Sequence, residues 1–156
     1  MSTTSDYFTV GRYFPHSREK TWRAAHSREL ILADWAVELE MPKVEAGYSY
    51  VVQLLPIPGT ELSVNITCEY LEVVPNELVV FTITSPGASP WRLHGRWTFT
   101  DQGHGTYLCC TFSGFNFSTD LRRIRGLAKR AMVQVLWRIQ LILNAETGTS
   151  LTAPPL

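Results

Sequence analysis

The sequence predicts one α+β domain: a curved, seven-stranded antiparallel sheet with two short helices near its start and one long C-terminal helix, together enclosing a cavity. Three observations carry this. Apolar residues recur at every second position from about residue 36 to 117. The spacing becomes helical after Ser118 and stays so to about residue 145. Between a first strand-like run and the long alternating region lies a tetrapeptide written twice, His-Ser-Arg-Glu at 16–19 and again at 26–29.

The elements follow in order. Residues 7–14 read as the first strand. Pro15 blocks helix upstream of Ser17. Ser17 and Ser27 are then suited to accept hydrogen bonds from free N–H groups at two successive helix starts, with Glu19 and Glu29 in the favourable first turn. Trp22, Ala24 and Ala25 follow the first copy; Leu30, Ile31, Leu32, Ala33 and Trp35 follow the second. The repeat is thus one structural instruction given twice. A zinc reading is weaker, because histidines on a helix bind metal one turn apart, and His16 and His26 precede different helices. No metal and no cofactor is expected.

Six more strands are expected near 36–42, 47–56, 61–73, 78–84, 91–100 and 106–117. Leu62, Val64, Ile66, Cys68 and Tyr70 alternate with polar neighbours; Trp91, Leu93, Gly95, Trp97 and Phe99 do so again, and so do Leu108, Cys110 and Phe112. Pro and Gly clusters punctuate them at 56–59, 75–76, 86–87 and 101–105. Such short connections favour antiparallel neighbours. The last helix carries Leu121, Ile124, Ala128, Ala131, Met132, Val135, Leu136, Ile139, Ile142 and Leu143 on one face. It spans about 39 Å at 1.5 Å per residue. A sheet bent around a single helix does not close tightly, and the gap is the default place for a ligand. The domain is expected over 1–146, with 147–156 a flexible tail.

Composition narrows the function. The chain has 156 residues, 45% apolar and 18% charged, an ordinary globular balance. Lys+Arg and Asp+Glu are 14 each, so there is no global pull on nucleic acid or an anionic membrane. No stretch is apolar for long enough to span a bilayer. The first residues lack the basic and apolar regions of a signal peptide. An odd cysteine count, Cys68, Cys109 and Cys110, argues against a disulfide scaffold. A cytoplasmic protein with reduced thiols is expected.

The segments RYFPHSREKTWRAAHSRELILADW, VEAGYSYVVQLLPIPG, EYLEVVPNELVVFTIT and WTFTDQGHGTYLCCTFSGF resemble the SRPBCC superfamily, whose helix-grip fold is shared by START lipid-binding domains, birch-pollen allergens and aromatic polyketide cyclases. The resemblance is closest to the branch named for activators of a heat-shock ATPase. Trp22 and Trp35 stand at that branch's customary aromatic positions, and Gly105-Thr106 matches its usual Gly-Thr; Ala46 stands where a glycine is usual. The resemblance covers about residues 6 to 145. It implies a cavity for a hydrophobic small molecule. Its members include catalysts, carriers and proteins acting on a chaperone.

Candidate residues follow from the pattern. Arg125 falls near Met132, Leu136 and Leu143 on the wheel, at the edge of the apolar face. A guanidinium there is expected to reach the cavity and hold a ligand oxygen as the catalytic group, unless it extends to water or pairs with Glu69 or Glu72. Tyr48, Tyr50, Tyr70, Trp91, Trp97 and Phe112 should line the concave face, with Met132 opposite, as ligand-binding residues or as ordinary core. His94 sits on the polar face of its strand, His104 in a glycine-flanked turn, and both should be wet. No nucleophile–base–orienter set is visible. Trp137, Val133 and Leu141 mark an outer apolar stripe, suited to a homodimer contact, an accessory partner or a seat for the tail. Two readings remain. One is a cofactor-independent cyclase or dehydratase acting on a polyketide-like chain, with polar groups in the cavity. The other is a binding protein, either a carrier with an almost wholly apolar lining or a chaperone-accessory protein with an exposed apolar patch such as the outer stripe.

Overall fold

The computed structural model describes residues 6–27, 36–39, 43–54, 65–85 and 91–147, with backbone alone at 36–39, 52–54 and 147. Seven strands are present: β1 (Tyr7–Phe14), β2 (Ala36–Leu39), β3 (Ser49–Leu54), β4 (Asn65–Val74), β5 (Leu78–Thr84), β6 (Arg92–Gln102) and β7 (Gly105–Ser113). They form one sheet in the order β1-β7-β6-β5-β4-β3-β2, every neighbouring pair antiparallel. Helix α1 spans Arg18–Ala25 and helix α2 spans Thr119–Thr147. The second short helix expected near 28–35 lies outside the described residues.

Most element ends are set by local chemistry. Ser17 Oγ accepts from Lys20 N at 3.2 Å and starts α1, with Glu19 in the first turn. At Pro75–Glu77 the chain turns through Asn76, whose φ of 67° suits an asparagine. The last strand was expected to run to 117 but stops at Ser113. Gly114 adopts φ 107°, which ends the extended run, and Phe115–Phe117 winds one 3-10 turn. Asp6 fastens this corner: its carboxylate accepts from Gly114 N at 3.1 Å and Asn116 N at 2.9 Å. Ser118 Oγ then accepts from Leu121 N at 3.1 Å at the start of α2.

The alternation places one face of the sheet inward. Phe8, Val10 and Phe14 of β1 meet Leu108, Cys110 and Phe112 of β7 in the core, and α2 covers them with Leu121, Val135, Leu136, Ile139 and Leu143. Phe8 stacks on Phe112 with ring centroids 5.4 Å apart. The three cysteines are free, and Cys109 and Cys110 lie on opposite faces as the pleat requires. The outer stripe is corrected in part. Val133 is exposed, but Trp137 and Leu141 are half-buried, and the Arg12 guanidinium sits over the Trp137 ring at 5.2 Å. A cation on strand β1 thus covers the tryptophan that was expected to face water.

Gly95 has a specific steric duty. It pairs with Phe81 on one side and Phe112 on the other. A Cβ there would lie 2.3 Å from Phe81 Cζ, so the Phe81 ring occupies the space a side chain would need. That ring is also held edge-on by Trp97 and Phe112, at 5.9 and 5.8 Å. Gly95→Ala is therefore expected to destabilise by about 1–3 kcal/mol through overpacking. The double variant with Phe81→Leu should recover most of that loss in urea titrations. A single variant as stable as wild type would mean that the ring does not depend on Gly95.

Candidate functional site

Between α2 and the inner face of the sheet lies a cavity of about 280 Å³, near the lower end of the range for ligand sites. Its floor comes from the inward positions of β3 to β7. Ile66, Val79, Ile83 and Leu93 supply aliphatic surface, and Phe81, Trp97 and Phe112 supply rings. Phe8 and Phe115 close one side, and Ala128, Ala131, Met132 and Val135 of α2 form the roof. The small side chains at 128 and 131 keep the roof shallow.

Few polar groups enter this lining. On one side stand Tyr50 of β3 and Cys68 and Tyr70 of β4. Tyr50 pairs with Cys68 across the ladder, and its ring centroid lies 5.8 Å from that of Tyr70. Burial raises both tyrosine hydroxyls above their ordinary range and pushes the Cys68 thiol up to about 11. All three are neutral at pH 7. A neutral tyrosine hydroxyl can both donate and accept, so this side can offer a proton to a ligand oxygen.

The other polar group is His26. It is the residue after α1, and its Nδ1 lies 2.8 Å from the Trp22 carbonyl oxygen. A carbonyl only accepts, so Nδ1 carries the proton and Nε2 holds the lone pair of the neutral ring. Trp22, Trp97 and Phe99 surround the imidazole at centroid distances of 4.5, 6.2 and 6.4 Å. Burial lowers its pKa, against the opposing pull of the Trp22 bond. Trp97 Nε1 is buried, with no hydrogen-bond partner among the described residues.

Of the residues singled out from sequence, Tyr50, Tyr70, Trp97, Phe112 and Met132 line the cavity. Three do not. Tyr48 lies just beyond the end of β3, its ring 6.5 Å from that of Tyr50. Trp91 stands ahead of β6, where its N–H donates to Ser85 Oγ at 2.9 Å and its carbonyl accepts from Ser85 N at 3.1 Å. Arg125 is the third residue outside the lining. Its Nε donates to the Tyr7 carbonyl at 2.9 Å, tying α2 to the edge strand β1. The wheel fixed its azimuth, but β1 takes up the guanidinium before it reaches the cavity. His94 and His104 are exposed, as expected. Among the described residues no group of three or more His, Cys, Asp or Glu side chains converges.

His26, Phe81 and Cys68 also line the cavity, although the sequence pattern did not single them out as binding residues. Cys68 and Tyr70 share one alternating run, so the pleat itself was a signal for Cys68. Phe81 faced Gly95, a pairing visible only once register is known. His26 is the C-cap of α1, a position that the sequence pattern does not mark as facing the cavity.

The family model described as activator of Hsp90 ATPase homolog 1-like protein matches residues 15–142. No curated protein shows a significant match in sequence. Among solved structures, protein MLL2253 of Mesorhizobium loti is 26% identical, with a TM-score of 0.70 over 89% of this chain and 97% of that one. DynU16, of the dynemicin biosynthetic locus, is 19% identical with a TM-score of 0.67, over 93% of this chain and 49% of that one. CalU16 of Micromonospora echinospora is 14% identical with a TM-score of 0.59, over 91% of this chain and 83% of that one. The last two likenesses bear on fold alone. Among the described residues no helix is long and apolar enough to cross a membrane.

Two predictions follow from these placements. Arg125→Met should lower stability by about 1 kcal/mol, the net worth of a hydrogen bond, and leave cavity binding unchanged. Normal melting with a tenfold loss of affinity would return Arg125 to the cavity. The second concerns pH. The unfolded chain protonates His26 near pH 6.5, while the folded chain resists until lower pH, so stability is full above that value and falls as the solution is acidified. The slope that His26 contributes is about 1.4 kcal/mol per pH unit between the two pKa values. His16 is also lowered, by burial and by Lys20, but is much less enclosed. Urea midpoints for His26→Phe between pH 7 and 5 should therefore fall less steeply than for wild type. Parallel curves would show that His26 charges freely in the fold.

Proposed function

The chain belongs to the activator of Hsp90 ATPase homolog 1-like family, whose fold typically binds small hydrophobic ligands; on that premise we propose that this protein binds a neutral, hydrophobic, oxygenated small molecule in the cavity under α2. The observation that carries the reading is the lining itself. Apolar and aromatic side chains form nearly all of it, and the polar groups resolved there, the two tyrosine hydroxyls, a thiol and an imidazole, are neutral at pH 7. A charged ligand would forfeit its hydration with no opposite charge to replace it. A flat or fused-ring molecule keeps its dispersion contacts with Phe81, Trp97 and Phe112 and meets hydroxyl donors on the β3–β4 side.

So apolar a lining favours holding a ligand over transforming it. A second reading, a cyclase or dehydratase acting on a polyketide-like chain, draws on one further observation. Two buried, neutral tyrosine hydroxyls, Tyr50 and Tyr70, stand in the lining and could polarise a ligand carbonyl, and exclusion of water would strengthen that contact. The accessory-protein reading loses much of its expected surface, because Arg12 covers Trp137.

Filling the cavity tests the main reading. Met132→Trp adds a bulky ring to the roof. Fluorescence titration with N-phenyl-1-naphthylamine, a neutral probe, should show a loss of affinity of roughly tenfold or more, with the far-ultraviolet circular dichroism spectrum retained. Undiminished binding would place the probe elsewhere and end the cavity reading. If the second reading holds, Tyr70→Phe should leave binding within about threefold while stopping any chemical change in a recovered ligand.

A further inference from the structure

We propose that His26 Nε2 is the hydrogen-bond acceptor for a ligand hydroxyl, so that the α1 side of the cavity selects an alcohol, phenol or enol O–H while the β3–β4 side offers a hydroxyl donor. This rests on the ligand-binding reading above and adds the chemistry of one subsite.

The argument is geometric. Nδ1 is committed to the Trp22 carbonyl at 2.8 Å, which fixes the tautomer. The imidazole is fixed in place by that bond and by contact with Trp22, 4.5 Å away between centroids. Nε2 therefore carries a lone pair, and it has no hydrogen-bond partner among the described residues. Nor is it a sealed, unsatisfied buried atom, unlike Trp97 Nε1, although the residue is not exposed. An open lone pair on a cavity-lining ring is an acceptor in search of a donor. The neighbours Trp97, Phe99 and Ala25 provide none that reaches it.

An acceptor here discriminates. A carboxylate or a carbonyl oxygen would set lone pair against lone pair. A hydroxyl fits, and an apolar substituent leaves Nε2 desolvated and unpaired, which is the costly case. The Tyr70 side carries the complementary sense. Tyr70 stands on β4 and Trp97, beside His26, on β6, two strand spacings away, or about 9.5 Å. A ligand bridging the two sides would present O–H at one end and C=O at the other.

The test uses two probes of one shape, 2-naphthol and 2-methylnaphthalene, titrated by calorimetry against wild type and His26→Phe. The variant keeps an aromatic ring and loses the lone pair. It should weaken 2-naphthol roughly three- to tenfold relative to wild type and change 2-methylnaphthalene by less than about twofold. An equal change for both probes would overturn the assignment. Failure of wild type to bind either probe would overturn the cavity reading itself, a separate outcome. Nitrogen-15 spectra of wild type give a measurement that needs no variant. The Nε2 resonance should move upfield on adding 2-naphthol and stay in place with 2-methylnaphthalene; no movement with 2-naphthol would sink the proposal.

Discussion

The structure depends on a mismatch of widths. Seven strands at about 4.8 Å spacing make a sheet about 29 Å across, whereas a helix with its side chains is only about 10–12 Å thick. One helix cannot cover such a face. α2 therefore packs where the apolar surface is densest, over β1 and against α1, and its contact with the far strands is thin. Hydrogen bonds and capping fix that choice: Arg125 holds the Tyr7 carbonyl, Asp6 fastens the corner before the helix, and Ser118 caps its start. What is left unfilled between α2 and β3–β6 is the cavity. The site is a consequence of closing the fold on one side.

The same constraint explains the character of the lining. Every inward position on β3 to β7 must be apolar enough to survive contact with the core, yet those near the gap need not be fully packed. Large rings meet this requirement, because edge-on contacts such as Phe81 against Trp97 and Phe112 hold one another while leaving a face open. The polar groups that enter are all of the kind that burial keeps neutral: tyrosine, cysteine and a histidine whose proton is already spoken for. An electrically quiet chamber with a donor on one side and an acceptor on the other is suited to recognising a neutral molecule by the pattern of its oxygens.

The repeated His-Ser-Arg-Glu shows how one local signal divides in context. In the first copy Ser17 caps α1 and Glu19 occupies its first turn, as its chemistry dictates. In the second copy the leading residues belong to the helix already running: His26 is its C-cap, and Ser27 Oγ donates to the Ala24 carbonyl at 2.8 Å. The helix start that Ser27 was expected to cap lies outside the described residues; that the preceding histidine turns its ring among Trp22, Trp97 and Phe99 was not legible, because two of those partners come from a strand some seventy residues away.

The sequence by itself determined the seven strands, their antiparallel sense, the first and last helices and the inward side of most strands, because a pleat of period two and a helix of period 3.6 assign faces without knowledge of neighbours. That was enough to bring Tyr50, Tyr70, Trp97, Phe112 and Met132 to one chamber. Tertiary structure decided what stands opposite each face. Arg125 lies at the azimuth its spacing gave, but β1 is the neighbour it meets, and a backbone carbonyl takes its charge. Tyr48 and Trp91 keep the parity of their strands but fall past the strand ends, where the pleat no longer presents them to the cavity. His26 joins the site because α1 ends one residue before it. Periodicity fixes direction; only the packed chain fixes distance and partner, and a site is made of both.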